Sequence, residues 1–148
     1  MAVKLIDELQ KEIKAAGEAT TQEVYEKAYD HTFQILDNLE KLLNVNRYLE
    51  GQEITEEDKR LYEILIRFDA VYYFKQRLNK NALRDYDNLR NYAKELYSIP
   101  EYKELADFEK IKQEELLGTK EDNPYQIVGV GPDESYWNEP NNRAEKFA

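Results

Sequence analysis

The sequence predicts an all-α domain organised around one long central helix. Three observations carry this. Apolar residues cluster in runs with helical spacing, helix-starting and helix-stopping residues fall at the edges of those runs, and 148 residues with 41% apolar content suffice for one domain with a core. The central stretch runs from Ile54 to Leu78. Leu61, Ile64, Leu65, Phe68, Val71 and Tyr72 form its stripe, and Lys59, Arg60, Glu63 and Arg67 take the other side. Thr55 and Asp58 read as a capping box, the hydroxyl accepting from the Asp58 amide and the carboxylate from the Thr55 amide. Glu56 and Glu57 suit the positive end of the helix dipole. At ~1.5 Å per residue the helix over 55–78 is roughly 35 Å long.

The flanking elements follow in order. A first helix over 3–16 carries Ile6, Leu9 and Ile13 on one stripe, with Gly17 as its C-cap. Thr20 with Glu23 reads as a second capping box, opening a helix over 21–44 with Val24, Ala28, Thr32, Ile35, Leu36, Leu39, Leu42 and Leu43 on its apolar face. Residues 47–51 connect it to the central helix. Asn79-Lys80-Asn81 breaks the pattern, and Asp85 or Asp87 caps a helix over 86–98 that stops before Pro100. Short helices are expected over 101–106 and 107–117, the second ending at Gly118. From 119 to 148 the prolines and glycines forbid a long regular element. Tyr125, Ile127, Val128, Val130, Tyr136, Trp137 and Phe147 make that segment too apolar for a free tail, so it is predicted to pack back, extended, across the helices.

Composition narrows the function classes. No run approaches the ~18 apolar residues of a membrane span, and the N-terminus has no signal-peptide pattern, so a soluble cytoplasmic protein is expected. Cysteine is absent, which excludes disulfides, thiolate metal sites and a thiol nucleophile. A net charge of −10 without a basic face argues against nucleic acid as a partner. Monomer and homodimer are both compatible with the sequence.

Little in the chain reads as chemistry. His31 is the only histidine and completes neither a zinc site nor a triad. Asp85-Tyr86-Asp87-Asn88 lacks the glycine and distant Glu of a calcium loop, and Gly129-Val130-Gly131-Pro132 lacks the helix of a nucleotide loop. No catalytic, cofactor-binding or metal-binding residue is assigned. Of twelve tyrosines, Tyr25, Tyr29, Tyr72, Tyr73 and Tyr97 have two readings. They are core-edge residues with a wet hydroxyl, or they line an aromatic pocket for a flat phenol or quinone.

Several segments together resemble a known family. Leu49 through Asp58 resembles the approach to the core helix in the C-terminal domain of glutathione transferases. Arg67-Phe68-Asp69-Ala70-Val71-Tyr72 narrows the resemblance to the glutathionyl-hydroquinone reductases, the Xi class. Agreement continues through residues 85–89, where the family usually has Pro at 87, and through 95–100, Asn123 to Val128, Gly131-Pro132 and Pro140 to Arg143. Gly17 to Glu23 resembles the loop before the family's second helix in this domain. The resemblance implies a glutathione transferase C-terminal-domain-like helical bundle.

It also implies what is missing. The family takes glutathione from a glutathionylated hydroquinone with a cysteine in an N-terminal thioredoxin-like domain, which this sequence does not contain. Two family tyrosines help hold the hydroquinone oxygens; Lys14 stands in place of one and Glu115 in place of the other. Lys and Glu also accumulate at Glu18, Lys59, Lys110 and Glu114, as in a scaffold redesigned for solubility. The sequence is therefore read first as a non-catalytic, engineered stand-alone scaffold. The alternative is a fragment or subunit of a glutathione transferase or glutathionyl-hydroquinone reductase, or a weak binder of aromatic ligands.

Overall fold

The computed structural model describes residues 2–148. In chain order it contains α1 (Ala2–Glu18), α2 (Gln22–Val45), α3 (Glu56–Arg67), a π-helical segment (Phe68–Tyr72), α4 (Tyr73–Lys75), a 3-10 turn (Leu83–Asp85), α5 (Asp87–Tyr97), α6 (Pro100–Leu105), α7 (Phe108–Leu116), a second 3-10 turn (Ser135–Asn138) and α8 (Arg143–Lys146). No β-strand occurs among the described residues. α1 and α2 lie along each other, and α3 packs against α1, α5 and α7. Leu61, Tyr62, Ile64, Leu65, Ile66 and Phe68 are all buried, so the central helix is enclosed on most of its circumference.

Asp58 anchors the start of that helix and is 0% exposed. The expected capping box forms only in part. The Thr55 amide donates to Asp58 Oδ2 at 2.8 Å, but the Asp58 amide bonds the Thr55 carbonyl, and the Thr55 hydroxyl donates to the carboxylate at 3.3 Å. Asp58 Oδ1 meanwhile accepts from the Leu49 amide at 3.0 Å and the Tyr92 hydroxyl at 2.7 Å. The carboxylate thus joins the connector, the central helix and α5.

The other helix ends depart further from the local reading. Thr21, not Thr20, caps α2, accepting from the Val24 amide at 3.1 Å. α5 is capped neither by Asp85 nor by Asp87: Glu40 of α2 accepts from the amides of Asn88 and Leu89 at 2.9 and 2.8 Å. Asp85 instead accepts from the Ala82 amide, closing the 3-10 turn. α1 runs through Gly17 to Glu18, so Gly17 is not a C-cap. A side chain there would lie 2.9 Å from Gln76 Cγ, so the glycine admits a close neighbour. The central helix, expected to reach 78, passes through the π segment and ends at Lys75. Arg77 takes a left-handed φ of 57°, which ends it, and Leu78 is buried beyond it.

The tail packs back on the helices as expected, through Trp137 and Tyr136 but not through every apolar residue. Tyr125 and Val130 are 86% and 93% exposed, and Ile127 also faces water, so these apolar residues cover nothing. Polar anchors hold the segment as well. The buried Lys112 ammonium donates to the carbonyls of Gly129, Val130 and Gly131 at 3.0, 2.7 and 3.3 Å. Arg143, 0% exposed, donates to the carbonyls of Leu43, Asn46 and Arg47 at 2.8–2.9 Å and caps the end of α2. Trp137 is buried among Tyr62, Tyr97, Phe108 and Tyr136, with centroids 5.4–6.5 Å away. Its indole N–H donates to Glu134 Oε2 at 2.8 Å, and Glu134 Oε1 is buried without a partner.

Two outcomes follow from this packing. Phe68→Ala should cost about 3–5 kcal/mol, and Asp58→Ala about 3–5 kcal/mol because it orphans two buried donors. Chemical denaturation within error of the parent for either would refute its place in the core. Burial pushes the Glu134 carboxyl up to about 7, with Asp69 adding to the shift and the Trp137 hydrogen bond opposing it. A folded value above the unfolded one makes its contribution complete below about pH 4.5 and lost as pH rises through 7. Glu134→Gln should therefore gain stability relative to the parent between pH 5 and 8, by up to about 3 kcal/mol. A pH-independent difference between the two proteins would remove Glu134 as the cause.

Candidate functional site

A groove lies between α1, the central helix and α7. Gln10, Ile13 and Lys14 share one face of α1 at spacings of three and four residues. Opposite them stand Ile64 of α3, Tyr72 at the end of the π segment, Gln76 just past α4, and Glu115 on α7. The hollow is open to solvent and measures about 260 Å³. It continues into a smaller one of about 170 Å³, which shares Gln10, Ile64 and Tyr72 and adds Arg60, Glu63 and Arg67.

Charges in the groove are largely tied down. Arg60 donates to Asp7 at 2.6 Å, Gln10 at 3.0 Å and Glu57 at 2.8 Å. Arg67 donates to the Glu63 carbonyl at 2.8 Å, and its Nε lies 3.3 Å from Glu115 Oε2. That approach pairs the charges without hydrogen-bond alignment, so Oε2 is buried with no hydrogen-bond donor. Gln76 Oε1 is in the same condition. Burial pushes the Tyr72 phenol above its ordinary range; Glu115 adds to this and Arg67 opposes it. Both oxygens are covered by the protein itself, and Ile13 and Ile64 give the groove apolar walls.

The five sequence-selected tyrosines do not share this pocket. Tyr72 lines the groove. Tyr25 and Tyr29 line a surface hollow with Glu26, Asp30 and Asn79, and the Tyr25 hydroxyl donates to the Arg77 carbonyl. Tyr73 lines a third hollow of about 160 Å³ beside Asp69 and Arg84, and Tyr97 packs on Trp137. The reason is helix geometry. Tyr25, Tyr29 and Phe33 repeat every four residues along α2, meet Phe68, and continue to Tyr72, with centroids 5.8, 4.9, 6.1 and 6.3 Å apart. The file fills core and leaves no common cavity. His31 sits 3.4 Å from Glu12, and no group of three metal-ligating side chains occurs among the described residues. Lys14 and Glu115, singled out by the resemblance, line one hollow. Gln76 and Gln10 were not expected there; no local pattern marks a glutamine past a helix end as lining a groove.

No protein-family model matches the chain. Curated and solved proteins do. Glutathionyl-hydroquinone reductase YqjG of Escherichia coli K12 is 34% identical over 143 residues, covering 97% of this chain and 43% of the reductase. Its glutathione-bound structure superposes with a TM-score of 0.87. A glutathione transferase from Gordonia bronchialis superposes at 0.90 with 36% identity, over 99% of this chain and 47% of that one. Glutathione transferase Xi from Phanerochaete chrysosporium superposes at 0.84 with 34% identity, over 95% and 45% of the two chains.

The chain is similar over nearly its whole length to the C-terminal helical domain of Xi-class glutathione transferases. Its all-α architecture is that of the Xi-class domain, and it spans about half the length of the relatives it matches. The expectation of a non-enzyme is corrected by these relatives, which are reductases and transferases. Its basis was the missing cysteine domain, but the matched region is less than half of the E. coli reductase. No helix is long and apolar enough to cross a membrane among the described residues.

Proposed function

We propose that this chain is the acceptor-binding half of a glutathione-dependent reductase or transferase of the Xi class. Its groove forms one wall of the active site, and a glutathione-binding domain supplies the other. The observation that carries this is the convergence of Lys14, Tyr72 and Glu115 on one hollow within a domain matched over 97% of its length by a glutathionyl-hydroquinone reductase. In this arrangement the helical half holds and orients the aromatic acceptor. Ile13, Ile64 and Tyr72 supply apolar contact, and the polar groups at the rim fix its orientation. The thiol chemistry belongs to the partner domain, since this sequence contains no cysteine. Lys and Glu at positions 14, 18, 59, 110, 114 and 115 support redesign as the origin of the departures from the family.

A chimera tests the reading. Residues 2–148 replace the matched part of the E. coli reductase, joined to the unmatched remainder, and turnover of a glutathionyl-hydroquinone is followed with excess glutathione. Turnover well above that of the remainder alone is expected. A folded chimera no faster than the remainder would overturn the proposal.

A further inference from the structure

We propose that the hollow beside Asp69 and Arg84 binds a free α-amino acid with a small branched apolar side chain, held as its zwitterion. The hollow is lined by Asp69 of the π segment, Tyr73 and Phe74 of α4, Ala82 and Arg84 around the following 3-10 turn, and Pro132 of the tail. It shares no lining residue with the groove, and so goes beyond the function proposed above. Its volume of about 160 Å³ is close to the ~150 Å³ of a cavity that holds benzene, which bounds the apolar part of the ligand.

Two opposite charges line this space without pairing with each other. Arg84 is exposed; its carbonyl accepts from Arg90 at 2.6 Å, but its guanidinium enters no ion pair among the described residues. Asp69 is buried. Its Oδ1 accepts from the Leu83 amide at 2.7 Å and its Oδ2 from the Tyr136 hydroxyl at 3.3 Å. A carboxylate has about four acceptor positions, so these two partners leave capacity for a further donor. Burial pushes the Asp69 carboxyl above its ordinary range; the Leu83 amide, the Tyr136 hydroxyl and the Arg84 charge oppose this, and Asp85 adds to it. An ammonium in the hollow supplies the nearby positive charge that a desolvated carboxylate favours.

A ligand of one sign meets an adverse charge whichever way it lies. A simple carboxylate paired with Arg84 brings a second anion beside Asp69, in a chain of net charge −10. A simple amine paired with Asp69 sets its charge near Arg84. A zwitterion turns its ammonium to Asp69 and its carboxylate to Arg84 at the solvent edge, where the guanidinium fork matches both carboxylate oxygens. The side chain then lies against Tyr73, Phe74 and Pro132. Phe74 is 56% exposed, so this contact takes an apolar ring out of water.

The test titrates the 148-residue protein at pH 7 with L-valine and with two ligands that each lack one of its charges. These are 3-methylbutanoate, without the ammonium, and isobutylamine, without the carboxylate. Binding is followed by protein NMR shifts. Valine should bind about tenfold more tightly than either, with shifts centred on Phe74, Ala82 and Arg84, since each lost partner removes a charge-assisted hydrogen bond. Arg84→Gln should bring valine down to the affinity of isobutylamine, and Arg84→Lys should restore it in part. Phe74→Ala should weaken all three ligands alike. Both residues are exposed, so these variants should melt like the parent, which circular dichroism checks. Valine binding no tighter than the singly charged ligands overturns the zwitterion. Valine binding that Arg84→Gln leaves unchanged, shifts centred on the groove, or no binding of valine at all overturns the site.

Discussion

One buried carboxylate holds the domain in register. Asp58 sits fully inside the protein and accepts from the Leu49 amide, the Thr55 amide and the Tyr92 hydroxyl, which come from three different parts of the chain. A buried ion is unfavourable unless its lone pairs are met, so the carboxylate is tolerable only where all three donors arrive together. Tyr92 is drawn into the same arrangement: burial first, and then the neighbouring charge, push its phenol well above its ordinary range. The start of α3, the connector from α2 and the face of α5 are therefore set by one set of hydrogen bonds. The central apolar stripe supplies most of the buried surface, but it could slide by a turn; Asp58 cannot.

The same device recurs at longer range. Glu40 of α2 meets the first amides of α5, and Arg143 of the tail meets the last carbonyls of α2. Each satisfies a helix end that no nearby residue satisfies, and each does so with a full charge where the helix dipole favours it. Burial lowers the Arg143 guanidinium below its usual range, yet its carbonyl partners and the Phe147 ring at 4.7 Å keep it seated. Arg47 and Glu95 add a further charged pair between the connector and α5. These contacts explain why the tail is ordered although three of its apolar residues point into water. Polar anchoring at Lys112 and Arg143 adds to the apolar coverage that Trp137 and Tyr136 supply.

What the sequence revealed follows this division. Periodic apolar runs exposed the helices, because a buried stripe leaves a 3.6-residue pattern whatever it packs against. The Thr55–Asp58 spacing exposed the start of α3, though not that the carboxylate serves two further donors. Caps contributed from afar left no local trace: Thr20 and Asp87 were plausible by spacing, and Thr21 and Glu40 hold the positions. The π segment was equally hidden, since Phe68 to Tyr72 is apolar enough to continue an α-helix. Tyr125, Ile127 and Val130 misled because composition reports what a segment could bury and not which way it faces.

The groove was legible only through resemblance, and the physical reason lies in its construction. Lys14 comes from the first helix and Glu115 from the seventh, so no spacing rule connects them; they line one hollow because α1 and α7 both pack on the central helix and the π segment that continues it. Gln76 reaches the same hollow from outside any helix and needs the bare Cα of Gly17 to do so. The glycine looked like a helix stop because glycine usually is one. Its use here is spatial: it opens the surface of α1 where a side chain from beyond α4 must lie. A stop could be replaced by asparagine at small cost, whereas this contact tolerates no side chain at all without moving Gln76. The substitution pattern expected at position 17 is thus set by the contact with Gln76 and not by the helix end.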